Sequence, residues 1–358
     1  MKRKKIAKNK TQKEKDISAF KKFLKAAAWV LAIVLAVIIL FFIYINLPVS
    51  PSKNKAQIGV TFSLRYAEDI GLNWKEAYLA MLDDLKIKNI RIPVYWDLVE
   101  KNPGKYDFAD VDWQLAEAQK RDAKIILVVG QKVPRWPECF IPEWVSTEDN
   151  DRQERLLMFE EIVINRYKNN HPEIKIWQIE NEPFLNFGIC PTIDPDLLDR
   201  EIAKVKSLDS LRPVMITDSG ELSLWIQAAS RADVFGTTMY REVYSARKIF
   251  GKALGHWRYP IGPNFFKAKQ FLIKFFANQD KAVVVELQGE PWVEGWTVHA
   301  PLERQFESMN AEILADNVEF AKKTGMHEIY VWGVEWWYWL KTTQNDNSVW
   351  EMVKKLNQ

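Results

Sequence analysis

The sequence predicts a (β/α)8 barrel preceded by a single membrane-spanning helix. Three observations carry that expectation. Eight short apolar runs rich in β-branched residues recur from about Gln57 to the C-terminus, separated by segments of helical periodicity. That alternation belongs to parallel strands covered by helices. About 300 residues follow the first fifty or so, the size that one eightfold β/α repeat requires. Finally, neither G-x-G-x-x-G nor G-x-x-x-x-G-K-[ST] occurs anywhere, which disfavours an open, doubly wound nucleotide-binding sheet.

The first 25 residues form a basic tail. They hold eleven Lys and Arg against Glu14 and Asp16, a local charge of +9 in a chain of formal charge +3, so the remaining 333 residues stand at −6. The basic character belongs to the tail, and the folded part offers no electrostatic footprint for nucleic acid. With 47% hydrophobic and 27% charged residues, and only 14 Gly and 16 Pro, the chain is not disordered or low-complexity.

Ala26 to Leu47 is a 22-residue run in which Asn46 is the only side chain outside the hydrophobic class. As a helix it measures about 33 Å, enough to cross a hydrocarbon core. Lysines on its N-terminal side keep that end cytoplasmic and send everything after Pro48 across the membrane, with Trp29 and Tyr44 placed for the two interfaces. A cleaved signal is the alternative, but its apolar region normally runs about 7 to 15 residues, and PVSPSKNK is a poor cleavage site. Pro48 to Lys55 then serves as a linker. The expected organisation is a cytoplasmic tail (1–25), a transmembrane helix (26–47), a linker (48–56) and an extracytoplasmic barrel domain (57–358), monomeric and anchored to the lipid bilayer by its helix.

Within the domain the first strand is IGVTFS from Ile58. Trp74, Tyr78, Met81, Leu82 and Leu85 follow at helical spacing. Next come NIRIPV from Asn89, a helix over Asp112 to Arg121, KIILVV from Lys124, a helix over Asp151 to Asn169, and IKIWQIENEP from Ile174. PVMIT (Pro213), DVFGTTMY (Asp233), AVVVEL (Ala282) and EIYVWGVEWW (Glu328) complete the eight. In such a barrel the functional groups lie at the C-terminal ends of the strands.

Two strand ends carry carboxylates. The fourth ends in Glu180, Asn181, Glu182 and Pro183, and the seventh in Glu286 after four apolar residues. Two carboxylates facing each other across a barrel mouth are the apparatus for cleaving an acetal: one protonates the leaving oxygen while the other attacks or activates water. A separation of about 5 to 5.5 Å retains configuration, and roughly 6.5 to 9.5 Å inverts it. Mutual repulsion raises the pKa of whichever group acts as the acid.

IENEPF with Glu182, VVVELQGEPW with Glu286 and NIRIPVYW with Arg91 together resemble the clan A glycoside hydrolases. These are (β/α)8 retaining enzymes that include the cellulase-like family 5 and several β-galactosidase families. WDLVEKNPGKYDFADVDW from Trp96 is similar to their region after the second strand. The resemblance implies Glu182 as acid/base and Glu286 as nucleophile. It also implies that Asn181 binds the sugar 2-hydroxyl, Arg91 orients the nucleophile, Tyr240 touches it, and Trp332 or Trp336 on the last strand lies under the sugar. The third strand ends VVGQ without a His, and the sixth shows Thr238-Met239-Tyr240 rather than His-x-Tyr.

Glu180 reads as structural, and Glu290 and Glu335 are the competing nucleophile candidates. Trp292, Trp296, Trp332, Trp336, Trp337 and Trp339 cluster at the last two strand ends, where about half are expected to face the cleft. Cys139 and Cys190 follow the third and fourth strands, so neighbouring loops could join them in a disulfide outside the cytoplasm; two buried thiols are the alternative. The four His form no H-x-H or H-E-x-x-H pattern, so neither a metal nor another cofactor is expected. The expected function is a membrane-anchored retaining glycoside hydrolase acting on a β-linked poly- or oligosaccharide. The alternatives are a non-catalytic glycan-binding barrel and a transglycosylase.

Overall fold

A computed structural model describes residues 2–50, 55–146, 149–249 and 252–356 and divides the chain into two compact units, 1–48 and 49–358. The first unit is one α-helix, Lys2–Ile45. No Gly or Pro interrupts residues 2–47, and the Lys, Ala, Gln and Glu of the tail are good helix formers, so the helix continues back through the tail. Its apolar part, Phe20–Ile45, is long enough to cross a membrane and begins earlier than the expected Ala26. The predicted tail begins with Met1 and the predicted linker contains 51–54; those residues lie outside the described ones.

In the second unit the strands are β1 (Gln57–Thr61), β2 (Asn89–Pro93), β3 (Lys124–Val129), β4 (Ile174–Ile179), β5 (Val214–Asp218), β6 (Val234–Met239), β7 (Glu242–Ile249), β8 (Lys252–Arg258), β9 (Ala282–Gln288) and β10 (Glu328–Trp332). Eight of them close into a parallel barrel in the order β1-β10-β9-β6-β5-β4-β3-β2, as predicted, because β1 pairs with both β2 and β10. The other two, β7 and β8, form an antiparallel hairpin with Tyr244 opposite His256. They rise from the end of β6.

Packing has two shells. Ile126, Met215, Val283, Val285 and Tyr330 form a buried cluster of their own. Ile126 is the register partner of Arg91 and Met215 that of Gln178, which places this cluster inside the cylinder beneath the polar mouth. Gly59 leaves room for it: a Cβ there would lie 2.6 Å from the Asn89 carbonyl and 2.9 Å from the Tyr330 ring. The larger cluster, including Trp96, Trp177, Trp336 and Trp350, packs strands against helices, each such side chain contributing about 1.5–3 kcal/mol. Helix starts are fixed by Asn73, Asp194 and Asn310, whose side chains accept backbone N–H groups of the first turn, a cap that contributes about 1 kcal/mol.

Candidate active site

At the end of β4 the chain leaves extended geometry abruptly. Glu180 (φ 56°) and Glu182 (φ 45°) both occupy the left-handed region on either side of Asn181, a conformation that costs a non-glycine residue about 1–3 kcal/mol and is sustained only by surrounding contacts. Those contacts are present. The Glu180 N–H donates to the Val129 carbonyl at 3.0 Å and the Asn181 N–H to the Lys132 carbonyl at 2.7 Å. The Glu182 N–H donates to Thr217 Oγ1 at 2.8 Å. Lys132 Nζ ties down the carbonyls of Glu182 and Leu185. The turn breaks the side-chain alternation of the strand and brings Asn181 and Glu182 together at the mouth.

Arg91, fully buried on β2, joins three barrel elements. Its Nε donates to Gln178 Oε1 at 2.7 Å, Nη1 to Glu286 Oε1 at 2.5 Å and Nη2 to Asn181 Oδ1 at 2.7 Å. The other oxygen of Glu286 accepts from Tyr240 Oη at 3.0 Å. Both oxygens of Glu286 are therefore aimed by fixed donors. Thr238 is the register partner of Glu286 across β6 and β9, and its Oγ1 donates to Glu182 Oε1 at 3.0 Å. Five predicted residues, Arg91, Asn181, Glu182, Tyr240 and Glu286, thus meet in one cluster.

Glu182 and Glu286 line one cavity of about 410 Å³, together with Thr238, Tyr240, Trp257 and Trp292. It adjoins a second cavity of about 410 Å³ lined by Tyr66, Arg135, Trp296 and Trp332, with Glu138, Phe187, Tyr240 and Trp292 common to both. Glu138 was not foreseen. Its Oε2 accepts from Asn181 Nδ2 at 3.2 Å, and burial together with the negative charge of Glu286 pushes its carboxyl up to about 8. Burial, then the charges of Glu286 and Glu138, also hold Glu182 well above the usual carboxylate range. The one sequence signal pointing to Glu138 is its neighbour Cys139, which is joined to Cys190 in a disulfide that ties the loop after β3 to the loop after β4.

A second unforeseen residue, Arg135, closes the side of the cleft. Its guanidinium carbon lies 3.7 Å from the Tyr66 ring centroid and 3.8 Å from that of Trp332. It forms ion pairs with Glu290 and with Glu335, the latter at 2.8 Å. Those pairs commit the two competing carboxylates to a structural clasp. Trp332 Nε1 donates to Glu290 at 2.8 Å, which sets the Trp332 ring in the cleft wall.

Trp336 requires a correction. β10 stops at Trp332, Gly333 (φ 111°) turns the chain, and Val334–Thr343 is a helix. Trp336 is therefore on a helix, fully buried, and its Nε1 donates to Gln305 Oε1 at 2.7 Å. It belongs to the packing layer, as do Trp337 and Trp339, whereas Trp292, Trp296 and Trp332 line the cleft.

Glu180 points away from the mouth. Its carboxylate accepts the N–H groups of Gln131 at 2.9 Å and Lys132 at 2.6 Å, and Gly130 is required beside it because a Cβ would sit 2.6 Å from Glu180 Cδ. Glu160, Glu180 and Glu201 are all buried, and the charges of Glu160 and Glu180 bear on Glu201. Burial and mutual repulsion of neighbouring carboxylates favour their protonated forms. Burial raises Glu180 to about 7 and holds Glu160 and Glu201 well above the usual range. Because the folded values exceed the unfolded ones, this stability is fully present below about pH 4 and is lost as pH rises through about 7. Glu201→Gln is accordingly expected to stabilise the protein by roughly 1–3 kcal/mol at pH 8 and far less at pH 4. Urea unfolding at the two pH values checks this.

Residues 52–233 match the family described as Cellulase (glycosyl hydrolase family 5). Among solved structures, the chain is similar to an exo-β-1,4-mannosidase from Opitutaceae bacterium strain TAV5, with 13% identity, 84% of this chain and 59% of that one covered, and a TM-score of 0.55. A monomeric β-xylosidase from Caulobacter crescentus CB15 matches at 15% identity, 79% and 61% coverage and a TM-score of 0.55. A β-galactosidase from Bacillus circulans sp. alkalophilus matches at 12% identity, 85% and 55% coverage and a TM-score of 0.54. The chain thus spans between half and two thirds of the length of these structures. No curated protein matches it in sequence.

Proposed function

From the premise that the chain belongs to the cellulase family, glycosyl hydrolase family 5, we propose that it is a retaining glycoside hydrolase that cleaves a β-linked poly- or oligosaccharide on the outer side of a membrane. The observation that carries the reading is the bridge at β6: Thr238, paired in register with Glu286, donates to Glu182, so two carboxyl groups share one cavity. Glu286, held by Arg91 and Tyr240, attacks the anomeric carbon. Glu182, kept protonated by burial and by the charge of Glu286, gives its proton to the departing oxygen. In the second step Glu182 takes a proton from water, which attacks the glycosyl ester and frees Glu286. Asn181 lies beside Glu286 through their shared partner Arg91, placed to bind the neighbouring sugar hydroxyl, and Trp332 offers a flat face in the adjoining cavity.

The anchoring part of the proposal rests on the Phe20–Ile45 helix with lysines at its N-terminal side. The Cys139–Cys190 disulfide supports an oxidising compartment for the barrel.

Following aryl β-glycoside hydrolysis by proton NMR tests the reaction. The β-anomer of the sugar is expected to appear first, then to mutarotate. An α-anomer appearing first, or sugar binding without turnover, contradicts the proposal. The pH profile provides a second test. Activity is expected to fall on the alkaline side as Glu182 loses its proton. Because the charge of Glu138 raises Glu182, Glu138→Gln is expected to move that limb to lower pH, read from kcat/KM against pH.

A further inference from the structure

We propose that Glu138 reads the substituent at C2 of the sugar attacked by Glu286, and that the substrate carries a free amino group there: a β-linked 2-amino-2-deoxy sugar, bound in its ammonium form. This names the substrate class of the catalytic mouth and rests on the reading of Glu182 and Glu286 as a retaining pair.

The placement follows from a chain of hydrogen bonds. Arg91 donates to Glu286 through Nη1 and to Asn181 through Nη2, and Asn181 Nδ2 donates in turn to Glu138 Oε2 at 3.2 Å. C2 is the carbon next to the anomeric centre, so with Glu286 at the anomeric carbon a C2 substituent stands on the side of Asn181 and Glu138. Glu138 is only 7% exposed, yet it lines both cavities of the mouth. Among the described residues its one side-chain hydrogen bond is the one from Asn181 to Oε2, and Oε1 is left for a ligand.

The surrounding chain holds Glu138 in that position against its backbone preference. Its φ of 77° is a left-handed value, which a non-glycine residue keeps only where its surroundings impose it. The Glu138 N–H donates to the Arg135 carbonyl at 2.6 Å, its carbonyl accepts from Val133 at 2.9 Å, and Cys139 beside it is bridged to Cys190. Gly188 makes the room, since a Cβ there would lie 2.7 Å from Glu138 Cβ.

Charge selects the ammonium. The carboxyl groups of Asp69, Glu138, Glu182, Glu221, Glu286 and Glu290 line the two cavities against a single cation, Arg135, whose guanidinium is already paired with Glu290 and Glu335. Such a lining repels an anionic sugar and draws in a cationic one. A metal ion is not the cation this lining fits: among the described residues no three His, Cys, Asp or Glu side chains are grouped to hold one. Burial and the charge of Glu286 push the Glu138 carboxyl up to about 8. An ammonium group beside it supplies the missing positive charge and displaces that proton, whereas a C2 hydroxyl leaves the carboxyl protonated.

The test compares p-nitrophenyl β-glycosides of gluco, galacto and manno configuration, each with either an amine or a hydroxyl at C2, on the full-length chain at neutral pH. For the configuration that is cleaved, kcat/KM is expected to favour the amine. Glu138→Gln, equal in size but unable to carry a charge, should lower the amine-to-hydroxyl ratio by about 30-fold or more, and Glu138→Asp should restore part of it. Hydroxyl glycosides cleaved with equal or better kcat/KM than the amines overturn the amino-sugar assignment and leave the hydrolase reading intact. An equal loss on amine and hydroxyl substrates in Glu138→Gln makes Glu138 a support for Asn181 and overturns its part in specificity. Turnover of none of these glycosides overturns the hydrolase reading, and this proposal with it.

Discussion

Replacing Glu286 by Gln is expected to lower kcat for aryl β-glycosides by about 10⁴-fold or more, because the group that forms the covalent intermediate is removed. The amide keeps the size of the side chain and can still accept from Arg91 through its oxygen, so circular dichroism and unfolding should change little. Glu182→Gln is expected to cost about 10² to 10⁴-fold on substrates with poor leaving groups, and much less on dinitrophenyl glycosides, whose leaving group needs no proton. Azide separates the two roles further. With Glu286→Gly, azide takes the place of the nucleophile and should give the α-glycosyl azide. With Glu182→Gly it attacks the glycosyl ester and should give the β-glycosyl azide. Activity within a few-fold of the parent in either Gln variant would remove that residue from the mechanism.

The second large effect is expected at Arg91. Arg91→Leu would strip one donor each from Gln178, Glu286 and Asn181 and leave Glu286, only 3% exposed, without its counter-charge. Breaking a buried ion pair in this way costs about 3–5 kcal/mol, and urea unfolding should show it together with loss of hydrolysis. Arg91→Lys restores the charge, but an ammonium cannot reach three acceptors in the planar geometry of a guanidinium. It should recover part of the stability and little of the activity. An Arg91→Leu protein as stable as the parent would mean that the cluster does not depend on Arg91.

The barrel could be read from the sequence because buried parallel strands are apolar on both faces, and runs such as PVMIT and IKIWQI end where the composition turns polar. For the same reason Glu182 and Glu286 stood out: a carboxylate at the end of an apolar run is conspicuous. The unread features arise where composition carries no period. Glu138 and Arg135 lie in the loop after β3, whose path is fixed by the disulfide and by left-handed residues at 135 and 138. Nothing in a run of polar and aromatic residues states which side chain will face the cavity. Trp336 was misplaced because EIYVWGVEWW stays mostly apolar and aromatic past Trp332; the left-handed Gly333 marks the change from strand to helix. The hairpin of β7 and β8 is absent from the sequence reading for a related reason, since its strands mix charged and aromatic residues without the alternation of a half-buried sheet. The predicted start of the apolar helix at Ala26 followed the last lysine, whereas helix geometry continues through lysines without interruption.

The central claim is that Glu286 forms a covalent bond to the sugar while Glu182 manages the proton. A 2-deoxy-2-fluoro glycoside with a good leaving group slows breakdown of the ester more than its formation. Incubation with such a compound, proteolysis and mass spectrometry should find one fluoroglycosyl group on the peptide that contains Glu286, and removal of excess reagent should restore activity slowly. A label on Glu138, Glu182 or Glu290, or inactivation-free turnover with no label at all, would contradict the account.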